Sequence, residues 1–187
     1  MALTIALVQF EPTAGNIELN LEKHLNAIQL AAEQGCDMVV FPELSLTGYE
    51  PEMADKLSHT DIEPIKRQLG NAASESGLLV ISGMPLVNKT DKPFIGALIA
   101  KPSGEVTTYK KQYLHPGEER HFSVGKEGLV LDCGDNKIGL AVCADFCHAE
   151  HQQQAVALGA EFYVMSALIS HQGYGQMQRS LQHSKHL

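Results

Sequence analysis

Apolar residues along the chain fall into two kinds of run. Short β-branched and aliphatic stretches are closed by Gly, Pro, Asn or Asp, and longer stretches space their apolar residues three and four apart. Leu3 to Phe10 is of the first kind and predicts a buried opening strand. After the turn-forming Pro12-Thr13-Ala14-Gly15-Asn16, the spacing of Leu21, Leu25, Ile28 and Ala32 predicts a helix that Gly35 closes. Asp37 to Phe41 predicts a second strand, stopped by Pro42, so the chain opens with a strand–helix–strand unit.

A second helix is expected over Asp61 to Ser76, ended by Gly77. Strands are expected at Leu78–Ile81, Gly96–Ala100 and Val106–Tyr109, the last two joined by a hairpin at Lys101-Pro102-Ser103-Gly104. Leu129–Asp132 and Ile138–Val142 read as a further pair across Gly134-Asp135-Asn136. A helix from about Ala149 to Leu158, a strand at Phe162–Met165 and a polar helix near Gln176 to Lys185 complete a mixed α/β pattern.

Length and charge narrow this picture. The 187 residues are 44% hydrophobic, enough for one sizeable core, so residues 1–187 are expected to form a single domain. Fourteen basic against 22 acidic residues give a net charge of −8, which argues against a nucleic-acid or anionic-membrane surface. The opening segment has no basic leader, and no stretch approaches the roughly 18 apolar residues of a membrane span. Four cysteines in a chain of this length, without a secretion signal, fit reduced thiols and a cytoplasmic location.

Chemistry concentrates in three separated segments. The stretch KIGLAVCADFCHAEHQ (137–152) puts Cys143 at the end of an apolar strand and before a helix, where backbone amides stabilise a thiolate or an oxyanion. By itself it admits a buried structural cysteine, a reactive cysteine, or a metal site built from Cys143, Cys147, His148 and His151. The C-x3-C-H-x2-H spacing is poor for a closed metal site, which usually takes two separated ligand pairs. Glu43, in Val40-Phe41-Pro42-Glu43-Leu44, leaves a buried strand and suits a general base of raised pKa, or an ordinary solvated carboxylate. Tyr109-Lys110-Lys111-Gln112-Tyr113-Leu114, followed by Gly117-Glu118-Glu119-Arg120-His121-Phe122, offers a lysine among carboxylates, or a solvated charged loop.

The order FPE, YKKQYL, VCAD resembles the nitrilase or carbon–nitrogen hydrolase superfamily, over about residues 4 to 170. That resemblance implies a four-layer α-β-β-α sandwich and a Glu–Lys–Cys set of catalytic residues in that chain order. It places Glu43 on the general base, Lys111 on the lysine, with Lys110 at the variable position before it, and Cys143 on the nucleophile. It also implies supporting roles for Asp145 in C-x-D, for the Ala144 amide in an oxyanion hole, and for Glu150, seven residues after the nucleophile. Many members carry a further glutamate four residues before a phenylalanine, which falls on Glu118 rather than Glu119.

Departures bear on the subfamily. Ala144 stands where an aromatic residue is frequent, His148-Ala149 where F-P is usual, and Tyr113 where a histidine is common. Ala144-Asp145 points to amides rather than nitriles. Family members usually continue for many tens of residues beyond the position of Leu187, so the fold is expected to be incomplete at its C-terminal end.

The implied activity is hydrolysis of a small amide or carbamoyl compound through a cysteine thioester. No metal or organic cofactor, no nucleic acid and no membrane are expected, and an exposed sheet edge favours a homo-oligomer. A catalytically incomplete or assembly-dependent member, acyl or ammonia transfer to a partner, and a Cys/His metal-binding module are the alternatives.

Overall fold

The computed structural model describes residues 2–168. Its first sheet has five strands in the order β1 (Ile5–Leu7), β2 (Met38–Val40), β3 (Leu79–Leu86), β4 (Phe94–Ala100) and β5 (Val106–Lys110). The first three run parallel, and β3, β4 and β5 form an antiparallel meander. The second sheet holds the antiparallel pair β6 (Val130–Cys133) and β7 (Asn136–Val142), with β8 (Phe162–Ser166) parallel to β7.

Helices cover the outer faces. α1 (Ile17–Glu33) crosses from β1 to β2, α2 (Ala54–Ser58) and α3 (Glu63–Ser76) precede β3, and α4 (Ala149–Ala157) joins β7 to β8. The expected boundaries have local causes. The Asn16 side chain accepts from the Leu19 amide and starts α1, and Gly77 in the left-handed region ends α3.

Strand alternation sorts the apolar residues into two cores. Met38, Val40, Leu79, Ile81, Ile95, Ala97 and Ile99 of the first sheet meet Leu131, Ile138, Leu140, Val142 and Val164 of the second. Val39, Phe41, Val80, Leu98 and Ala100 point the other way, against Leu21 and Ile28 of α1 and Ile65 and Leu69 of α3. α4 lies on the outer face of the second sheet, where Gly139 leaves room for Ala155 and Tyr163. The layers are therefore α-β-β-α.

One expectation fails at the first strand. Leu3 to Phe10 reads as buried, but only Ile5–Leu7 is a strand, it lies at the sheet edge, and Leu7 is 68% exposed. An apolar run does not distinguish a central strand from an edge one. The helix expected near Gln176 to Lys185 lies outside the described residues. Among the described residues, no helix is long and apolar enough to cross a membrane.

Candidate active site

Glu43 stands on the first turn after β2, and that turn is held from three sides. Leu44 adopts a left-handed conformation (φ 53°), and the amides of Thr47 and Gly48 both bond back to its carbonyl. From α1, buried Asn20 donates to the carbonyls of Thr13 and Leu46. His24, also buried, lies 2.7 Å from the Asn20 carbonyl through Nδ1 and 2.9 Å from Ser45 Oγ through Nε2. A carbonyl only accepts, so Nδ1 carries the proton, the Ser45 hydroxyl donates to Nε2, and Ser45 Oγ in turn accepts from the Gly83 amide.

Two predictions arise from this loop. A Cβ at Gly83 would overlap the Leu44 amide nitrogen. Gly83→Ala is expected to lose about 1–3 kcal/mol in urea unfolding and to lower activity by displacing Glu43. His24 is the second case: burial drives its pKa from 6.5 to about 4, against a smaller opposing effect of the Asn20 carbonyl. The unfolded chain then binds more protons than the folded one between these values. His24 thus contributes its full stability above pH 6.5, and about 3 kcal/mol is lost as pH falls towards 4. Urea titrations from pH 7 to 4 should show this decline, and His24→Phe should flatten it.

Lys111 follows β5 directly. Its amide donates to the Ile95 carbonyl and its own carbonyl accepts from the Gly125 amide, so the backbone is held on both sides. The side chain is 0% exposed. Nζ donates to Glu43 Oε1 at 2.7 Å and to Glu118 Oε2 at 2.8 Å, making one cation shared by two buried carboxylates. Glu118 is fixed further by the Tyr49 hydroxyl (2.9 Å) and the His115 amide (2.8 Å). Neighbouring Lys110 is exposed and lies over the Phe94 ring, and Glu119 is exposed as well.

Cys143 follows β7 directly and begins a one-turn 3-10 helix, Cys143–Cys147. Its φ of 47° is costly for a residue with a Cβ, and that bend carries the thiol off the sheet toward Glu43. Asp145, fully buried, holds the bend. Its Oδ1 accepts from the amides of Gln112 and Tyr113, and its Oδ2 from the Val142 amide and the Tyr109 hydroxyl. One carboxylate therefore ties the turn bearing Cys143 to the segment bearing Lys111. At the start of so short a helix, the amides of Cys143 and Ala144 have no intrahelical acceptor.

The electrostatics favour a neutral Cys143 thiol beside the Glu43 carboxyl group. Burial pushes the Cys143 thiol up to about 12, and the Glu43 charge adds to this while Lys111 opposes it. Burial also raises Glu43, partly offset by Lys111. The Lys111 ammonium is disfavoured by burial, but Glu43 and Glu118 outweigh that and hold its pKa above the ordinary value. The proton of Cys143 thus has an adjacent acceptor, and the lysine stays cationic.

Of the residues singled out in the sequence, Glu43, Lys111, Cys143 and Glu118 form one cluster, with Ala144 and Asp145 beside it. Glu150 does not join them: it is exposed in the first turn of α4, and its carboxylate accepts no hydrogen bond among the described residues. The Cys/His group divides. Cys147 is exposed, His148 stacks on Tyr113, and both ring nitrogens of His151 are taken by tyrosine hydroxyls. No metal-holding group of three or more His, Cys, Asp or Glu occurs among the described residues. The sequence does not single out Tyr49, Asn20 or His24. Polar residues at helical spacing in α1 were the one local signal for the last two.

Comparisons with known proteins find relatives along most of the chain. The chain is 29% identical to the glutamine-dependent NAD(+) synthetase of Thermotoga maritima over 89% of its own length, and spans 30% of that protein. It is 27% identical to an (R)-stereoselective amidase of Pseudomonas over 88% of its length, and spans 60% of it. An amidase structure from Nesterenkonia superposes with a TM-score of 0.82 at 27% identity, covering 90% of this chain and 68% of that one. The carbon–nitrogen hydrolase family model matches residues 4–186, and the chain belongs to the carbon–nitrogen hydrolase family.

Proposed function

We propose that the chain carries the amide-cleaving site of a cysteine amidohydrolase, acting on a small amide or carbamoyl compound. The observation that supports this best is the shared cation: Lys111 sits between buried Glu43 and Glu118, with the Cys143 thiol beside Glu43. In the proposed reaction the Glu43 carboxylate takes the thiol proton as sulfur attacks the substrate carbonyl carbon. The oxyanion that forms faces the Lys111 ammonium and the Ala144 amide. Glu43 then gives its proton to the leaving nitrogen, the C–N bond breaks, and a thioester stays on Cys143. Glu43 next deprotonates a water that attacks the thioester; the carboxylic acid leaves and the thiol is restored. Glu118 orients Lys111, and the strained turn at Cys143 aims the thiol.

A glutamate-to-glutamine mutant of the Nesterenkonia amidase carries acrylamide joined by Michael addition to its active-site cysteine, and a cysteine-to-alanine mutant holds butyramide; a nucleophilic cysteine and a bound amide in that protein support this reading. The synthetase relatives are glutamine-dependent by name, which makes a carboxamide side chain a second substrate class to test. Ammonia release from the purified chain, measured over aliphatic amides, carbamoyl compounds and glutamine, is the test. Release from at least one class is expected, and silence across the whole panel would count against the proposal.

A further inference from the structure

α4 and its N-cap residue His148 pack against the lysine segment through a single stripe. His148, His151 and Gln154, each three residues apart, meet Tyr113, Tyr109 and Gln112, which bracket Lys111. His148 stacks on Tyr113 with ring centroids 3.9 Å apart and planes at 13°. Gln154 Oε1 accepts from Gln112 Nε2 at 3.0 Å. His151, 2% exposed, lies 2.8 Å from the Tyr109 hydroxyl through Nε2 and 2.6 Å from the Tyr163 hydroxyl through Nδ1.

The directions of these bonds follow from Asp145. Both Asp145 oxygens accept from backbone amides, and the Tyr109 hydroxyl donates to Oδ2 at 2.7 Å. With its one proton used, that hydroxyl accepts from His151 Nε2–H. Nδ1 of the neutral ring is then an acceptor, and the Tyr163 hydroxyl donates to it. Protons thus point one way along Tyr163, His151, Tyr109 and Asp145, from β8 through α4 to the carboxylate that joins the Cys143 turn to the Lys111 segment. Burial lowers the His151 pKa, which keeps the ring neutral as this order requires; Asp145 opposes the shift and His148 adds to it.

We infer that α4 clamps the lysine segment onto the cysteine turn, and that His151 is the positioning residue at its centre, setting the distance between Lys111 and Cys143 through Tyr109 and Asp145. This rests on the proposed Glu–Lys–Cys chemistry. It assigns a role to two of the histidines that the sequence leaves unassigned. Tyr109 lies two residues before Lys111 on the same strand face, and the amides of Gln112 and Tyr113 follow it, so Asp145 grips both sides of the lysine. Rotation of the Tyr109 hydroxyl would release one side of that grip.

The test uses the full chain with His151→Phe, His151→Gln and Tyr163→Phe. One readout is kcat and KM on a cleaved amide. The other is the rate at which iodoacetamide labels Cys143, resolved from Cys147 by peptide mass. His151→Phe should lower kcat by about 10- to 100-fold, the scale of a small misplacement of reacting groups, with little change in KM. It should also slow Cys143 labelling without affecting Cys147. Gln keeps a donor toward Tyr109 and an acceptor toward Tyr163, so His151→Gln should recover most of the loss. Tyr163→Phe, which keeps the ring and removes one hydroxyl, should fall between the two and serves if His151→Phe does not fold.

Wild-type kcat and labelling in His151→Phe, or in Tyr163→Phe, would overturn the inference. So would a Gln variant as impaired as the Phe variant. If the unmodified chain cleaves no amide, the proposed function fails instead, and the labelling rates still report on the clamp.

Discussion

Cys143→Ala is expected to abolish amide turnover, by about 10⁴-fold or more, while the protein stays folded. Alanine keeps the Cβ and the backbone bend, so the strain at φ 47° is unchanged and only the nucleophile is lost. Cys143→Ser should be nearly as inactive, because a hydroxyl gives up its proton to Glu43 less readily than a thiol. A glycine separates strain from chemistry. Cys143→Gly should be as inactive as the alanine variant yet more stable, by about 1 kcal/mol, since glycine adopts this φ without a steric cost. A stability gain at the residue whose loss ends catalysis is the mark of a conformation retained for function. Urea unfolding beside ammonia release measures both effects.

Lys111→Met is the second large effect, and it combines activity with stability. The ammonium is fully buried, and its removal leaves Glu43 and Glu118 facing each other without a cation. Breaking a buried pair by deleting one partner typically costs about 3–5 kcal/mol, because an uncompensated charge stays behind. Turnover should fall by at least about 10³-fold, since the oxyanion loses its cation and the base is no longer held ionised.

The pH dependence identifies the cause. Burial already raises Glu43 and Lys111 offsets it. Without the lysine the folded-state value climbs further above the unfolded one. The folded variant then binds more protons than the unfolded chain, so its stability falls as pH rises through that raised value and recovers as pH drops toward the ordinary carboxylate range. A deficit that is independent of pH would mean that lost packing, not lost charge, is responsible. Unfolding curves at pH 5 and 8 distinguish the two.

Much of this site was legible in the sequence because its main residues sit at strand ends in recognisable flanks. Phe41-Pro42-Glu43 and Val142-Cys143 each follow an apolar run, and the choices of Lys111 over Lys110 and Glu118 over Glu119 match burial. What stayed hidden is contact between distant polar residues. Tyr49 and Glu118 lie 69 positions apart, and Tyr109 and His151 are separated by 42. No local pattern encodes such pairings, because a tyrosine or histidine in a helix or strand looks the same whether its polar atom meets water or a partner. Glu150 shows the converse: its place relative to Cys143 was suggestive, but the first turn of α4 exposes it. The edge position of β1 was equally invisible, since its pairing with β2 alone among the described residues is fixed by topology and not by its own residues.

The most direct measurement is acid-quenched mass spectrometry of the intact chain during amide turnover, with peptide mapping of any adduct and Cys143→Ala as the control. The predicted result is a mass gain equal to the acyl group replacing the thiol hydrogen, mapped to Cys143 and absent from the variant, which also releases no ammonia. An acyl group on Cys147 or on any other residue, or wild-type ammonia release from Cys143→Ala, would contradict the assignment of Cys143 as the nucleophile.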